Sequence, residues 1–123
     1  MNKNRSFVRS FGYAIQGIVT AFKEEWNFRI HVFLAIVAIS LGYFLKISSN
    51  EWVIVIFSIF FVLIMELINT AIETVVNISS PGISRRAKIA KDVSAAAVLL
   101  GAIFAAFVGL VVFLPKILPI LNF

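Results

Sequence analysis

The chain has 123 residues, of which 61% are hydrophobic and only 14% charged, with a net charge of +5 and no cysteine. Its mean hydropathy is +1.02. Soluble domains carry about 45–50% apolar residues, so a soluble fold of this length would leave too much apolar surface uncovered. A single membrane domain is the expectation, and neither a disulfide framework nor a thiolate metal site can form.

The opening "MNKNRSFVRSFGYAIQG" is basic, but its apolar residues are spaced rather than continuous, so it does not read as a cleavable signal peptide. Phe7, Phe11, Ile15, Ile18 and Phe22 recur at helical spacing and cover only about 80° of a helix. Arg9, Gln16, Thr20 and Lys23 lie off that stripe. The pattern predicts a helix lying in the membrane interface, the alternative being a helix packed on a soluble core.

"HVFLAIVAISLGYFL" (31–45) is the first spanning candidate. It is short of the roughly 20 residues a bilayer needs, so the helix is expected to begin before His31, near Trp26. A polar turn, Lys46 to Glu51, leads to the second span, 52–76. "NISSPGISRR" (77–86) breaks that span, with Pro81-Gly82 as the turn signal. The third span, 93–114, is rich in Ala and Gly, which permits close helix approach, and Pro115 ends it.

Residues 1–123 thus read as one all-α membrane domain. It has a surface helix over about 5–24 and transmembrane helices over about 28–46, 51–77 and 90–114. Lys3, Arg5, Arg9, Lys23, Arg29, Arg85, Arg86, Lys88 and Lys91 fall on one side of the membrane, against Lys46 and Lys116 on the other. The positive-inside rule places the N-terminus and the 77–92 loop in the cytoplasm and the C-terminus outside. The basic excess, in so apolar a chain, points to lipid headgroups or a polyphosphate ligand rather than nucleic acid.

Polar residues inside the second span carry the functional signal. Glu66, Asn69 and Glu73 share one helical face within about 60°, and Asn77 continues it. A carboxylate facing hydrocarbon costs about 2.5–3.5 kcal/mol even on insertion scales, so these groups must face protein or water. Two carboxylates near the cytoplasmic end suit a divalent cation or a proton acceptor. An interhelical clamp holding subunits together is the structural alternative. Transport is a weaker one, because the polar stripe stops in the cytoplasmic half. Glu24-Glu25 and Lys91-Asp92 fall on the same side, and carboxylates beside cations are what Mg-nucleotide chemistry requires. Taken singly, Lys91 is also an ordinary interface anchor, and Asp92 an ordinary helix N-terminal charge. No GxxxxGK[ST] or GxGxxG motif is present, and the lone His31 reads as structural.

"GIVTAFKEEWNFRIH" (17–31), "ELINTAIE" (66–73), "AKIAKDVSAAAVLL" (87–100) and "GLVVFLPK" (109–116) resemble the small bacterial membrane kinases of the prokaryotic diacylglycerol kinase and undecaprenol kinase family. The likeness covers nearly the whole chain and leans to the undecaprenol kinase branch. It implies an all-α integral membrane protein of the bacterial inner membrane, with a surface helix and three spans, assembled as a homotrimer. Active sites would lie between subunits at the cytoplasmic face. The implied reaction moves the γ-phosphoryl of Mg-ATP to a lipid hydroxyl, that of undecaprenol first and diacylglycerol as the alternative. Residue by residue, the resemblance makes Glu66 the general base, Glu25 and Glu73 the Mg²⁺ ligands, and Asn69 a support for substrate or base geometry. Lys91, Asp92 and the Asn77 position fall to the nucleotide. Asn77 stands where the family usually has aspartate, and an amide there implies weaker nucleotide or metal affinity.

Overall fold

A computed structural model describes residues 3–82 and 84–123, without the side chains of residues 3–5. Lys3 and Arg5 of the charge count therefore lie outside the described side chains. Four helices follow in order: α1 (Lys3–Glu24), α2 (Trp26–Phe44), α3 (Ser49–Ser79) and α4 (Arg85–Ile117). The last three, of 19, 31 and 33 residues, are long and apolar enough to cross a membrane. The protein is an integral membrane protein.

Local chemistry sets the helix limits. α1 and α2 are separated by Glu25 alone, whose backbone is extended (φ −108°, ψ 109°) and whose side chain caps nothing. Arg29 closes this corner instead. Its guanidinium donates to the Phe22 and Lys23 carbonyls at 3.3 and 3.0 Å, satisfying acceptors that a helix end leaves open. The same guanidinium lies 5.3 Å from the centre of the Trp26 ring. The first span thus begins at Trp26, the position read from the bilayer length.

A capping box opens α3. The Glu51 amide donates to Ser48 Oγ at 3.2 Å, and the Ser48 amide donates to the Glu51 carboxylate at 2.9 Å. α4 starts at Arg85 because Ser84 Oγ accepts from the Ala87 amide at 3.3 Å. Arg85, Arg86 and Lys88, expected in a loop, therefore ride on the first turn of α4. The far end differs from expectation too. Pro115 does not end α4, which continues to Ile117. Proline there costs the bond to the carbonyl four residues back. The following turn is held by the Leu118 amide on the Leu114 carbonyl at 3.1 Å and by Lys116 Nζ on the Val112 carbonyl at 3.3 Å.

α3 packs most extensively on α4, and less on α2. Phe57, Phe61 and Phe104 meet with centroids 6.0–6.1 Å apart. Gly101 of α4 faces the Phe61 ring, which a Cβ there would meet at 3.4 Å, an ordinary contact. The apolar core, Ile47, Val55, Val108, Val112 and Phe113, gathers beside the α2–α3 turn. Glu51 and Lys116 form an ion pair at this same end. The core therefore anchors one end of the bundle, and Glu66 and Glu73 of α3 lie toward the other. The five stripe residues of α1, Phe7 to Phe22, are all exposed in the isolated chain.

Candidate functional site

At the α1–α2 corner the chain brings together residues distant in sequence. Glu66 is 1% exposed, with Val55 the largest fully buried side chain. Its Oε2 has no hydrogen-bond partner. The carboxylates of Glu25 and Glu73 lie near enough to act on it through space. Asn69, 8% exposed, donates from Nδ2 to Glu73 Oε1 at 3.3 Å, while its Oδ1 is unpartnered. Glu25 and Glu73 are half-buried. Three acidic groups and an amide thus converge where the extended Glu25 backbone breaks the first helix from the second. Burying an unpaired polar atom costs about 1–3 kcal/mol, and a cluster of like charges adds to it. A fold that keeps such groups uses them, or completes them with a ligand.

The cationic half of the expected site is arranged differently. Asp92 is exposed and pairs with Lys88, one turn earlier, at 2.6 Å. Such an exposed i,i+4 pair is weak, about 0.3–0.5 kcal/mol, and is readily exchanged for a ligand. Lys91 is half-buried, and among the described residues no ion pair joins it to the glutamates. Asn77 is exposed near the end of α3. One chain therefore gathers Glu25, Glu66, Asn69 and Glu73, and among the described residues no hydrogen bond or ion pair ties Lys91, Asp92 or Asn77 to them.

Among the described residues no three His, Asp or Glu side chains form a cage for a metal. Mg²⁺ does not need one, since it commonly takes one or two carboxylates and completes its shell with water and substrate phosphates. The two half-buried oxygen donors Glu25 and Glu73 fit that demand.

Sequence reasoning missed two buried hydroxyls, Thr70 and Ser94, whose oxygens have no partner. Thr70 lines an open groove between α1 and α3, with Ala14, Gly17 and Ala21 opposite. Ser94 is the one polar residue between Asp92 and Lys116 on α4, and that interruption was the available signal. A separate cavity of about 250 Å³ between α2, α3 and α4 is lined almost entirely by apolar residues, with His31 and Ser58 as its polar members.

Comparison with known proteins matches residues 12–113 to the prokaryotic diacylglycerol kinase family. An undecaprenol kinase of Bacillus subtilis is 35% identical over 116 residues, covering 94% of each chain. A diacylglycerol kinase of Synechocystis is 39% identical over 113 residues, 91% of this chain and 65% of that one. A diacylglycerol kinase of Helicobacter pylori is 37% identical over 109 residues, 86% of this chain and 85% of the relative.

Proposed function

The chain belongs to the prokaryotic diacylglycerol kinase family and is a lipid kinase with ATP as co-substrate, and from that premise we propose that it phosphorylates undecaprenol at the α1–α2–α3 corner. The observation that carries the site is Glu66, fully buried with Oε2 unpartnered and two other carboxylates close enough to act on it. The likeness to an undecaprenol kinase over 94% of both chains supports the acceptor. Diacylglycerol is the second reading, supported by the names of the other two relatives.

Depth in the bilayer gives Glu66 its role. The 31 residues of α3 extend about 46 Å, well beyond a hydrocarbon core of roughly 30 Å. Hydrocarbon beginning at Trp52 ends about 20 residues on, near Ala71. Glu66 then sits just inside that boundary, at the level of a lipid alcohol, and Glu73 just outside it. The alcohol oxygen attacks the γ-phosphorus, the bond from that phosphorus to the β–γ bridging oxygen breaks, and ADP leaves. Glu66 receives the alcohol's proton. Its position matters more than covalent chemistry, because phosphoryl transfer is governed by alignment and charge neutralisation.

Glu25 and Glu73 would hold Mg²⁺, which neutralises phosphate charge when bound. Asn69 orients Glu73 through its amide. Lys91 offers a cation to the phosphates, and Asp92 and Asn77 border the nucleotide. α1, with its uncovered apolar stripe, lies along the membrane surface. The single-domain organisation of residues 1–123 follows from these roles. Among the described residues no ion pair joins Lys91 or Asp92 to the glutamates, which supports a homotrimer with sites between subunits. Basic residues cluster at the carboxylate end, and Lys116 at the opposite end is already paired with Glu51. That supports a cytoplasmic N-terminus and site in the bacterial inner membrane.

The test is phosphotransfer by purified protein in mixed micelles, with labelled Mg-ATP and undecaprenol or diacylglycerol offered separately. Label appearing on undecaprenol, and far more slowly on diacylglycerol, is the expected result. Preference for diacylglycerol overturns the acceptor assignment.

A further inference from the structure

Helical hydroxyls in this protein normally satisfy themselves. Ser10, Ser40, Ser58 and Thr74 each donate to a carbonyl three or four residues back, at 2.8–3.0 Å. That back-bonding is the usual solution for Ser and Thr inside a helix. Ser94 is an exception. It is 7% exposed, lies inside α4, and its Oγ has no partner at all.

The helix packing fixes what Ser94 faces. Gly101 looks onto Phe61 and Met65 of α3. Ser94 precedes Gly101 by two helical turns and shares its face. On antiparallel α3, the same two turns beyond Phe61 and Met65 lead to Ile68 and Ile72, which bracket Asn69. Asn69 is itself buried, with an unpartnered Oδ1. Two orphaned polar atoms from two adjacent helices thus lie at the same level along α3 and α4. That level lies between those of Glu66 and Glu73, which are about 10 Å apart along α3.

We propose that Ser94 is an acceptor-binding residue whose hydroxyl donates a hydrogen bond to the alcohol oxygen of the lipid. The inference rests on the lipid-kinase site placed at Glu66. An alcohol attacking phosphate must lie between its base and the phosphate-bearing end of the site, and that is the depth Ser94 occupies. A lipid alcohol has two lone pairs and one proton. Giving the proton toward Glu66 leaves the oxygen free to accept from Ser94. Because this bond forms on binding and persists through reaction, it strengthens binding uniformly and acts on KM rather than kcat.

Ser94→Ala tests the assignment in the micelle assay. Loss of one neutral hydrogen bond raises KM for the acceptor roughly three- to tenfold, with KM for ATP and kcat held. Thermal unfolding of the ligand-free variant is unchanged or shifted upward, because a buried unsatisfied hydroxyl has gone. Unchanged KM for both substrates overturns the proposal and leaves Ser94 a packing residue. A shift confined to ATP overturns it as well. If Ser94→Ala does not yield folded protein, Ser94→Gly removes the same hydroxyl and is read in the same way. No transfer by the parent protein to any lipid alcohol sinks the underlying site instead, an outcome separable from an active parent with an indifferent variant.

Discussion

Replacing Glu66 with glutamine asks two questions of one side chain. Glutamine keeps the shape of a residue that is 1% exposed but cannot accept a proton as a carboxylate does. A positioned general base contributes about 10²- to 10⁴-fold to rate, equivalent to roughly 3–5 kcal/mol of barrier. Turnover is therefore expected to fall at least about 100-fold. Stability is expected to move the other way or not at all. Glu66 Oε2 has no partner, and Glu25 and Glu73 face it with like charge, so the substitution removes a repulsion and breaks no hydrogen bond. A clamp residue would behave differently, because its loss would disturb the fold or the oligomer. The assay is initial-rate phosphotransfer at saturating ATP and lipid, with thermal unfolding and oligomer size measured on the same samples. Turnover within tenfold of the parent refutes the base assignment. A tenfold loss accompanied by a dissociated or unfolded protein refutes the separation of catalysis from structure.

Glu73→Ala removes one of two oxygen donors and the acceptor of the Asn69 amide. Activity should fall and be partly restored as Mg²⁺ is raised; an unchanged Mg²⁺ dependence counts against ligation. Packing gives a paired prediction. A Cβ at Gly42 would lie 2.8 Å from the Trp52 ring, so Gly42→Ala is expected to destabilise by about 1–3 kcal/mol, more than the ~1 kcal/mol alanine gains in a helix. At Gly109 nothing lies within 4 Å, so Gly109→Ala should be neutral or stabilising. Unfolding curves for the two variants that coincide would refute the register assigned to the α2–α3 turn.

The helices were legible from local pattern because membrane spans announce themselves by length. Glu66, Asn69 and Glu73 were legible because a polar face inside an apolar run has few explanations. The Glu25 corner was half legible: its acidic pair was visible, but the single extended residue and the Arg29 bonds that close it are products of chain direction. Pro115 misled, since a proline in the last turn of a long helix costs one bond and need not stop the next two residues. The pairing of Asp92 with Lys88, one turn earlier on α4, was not read from the sequence.

Sequence by itself determined the class, the number of apolar spans and the face on which the α3 carboxylates lie. Hydrophobicity and helical period are local properties, and each residue states them alone. Only the tertiary structure decided which carboxylates come near one another, that Glu66 is buried with Oε2 unpartnered, and that the Ser94 hydroxyl is buried without a partner. Those facts depend on how α1, α2 and α4 pack against α3, which side-chain volumes and one close approach at Gly42 select. No stretch of the chain read alone contains that information.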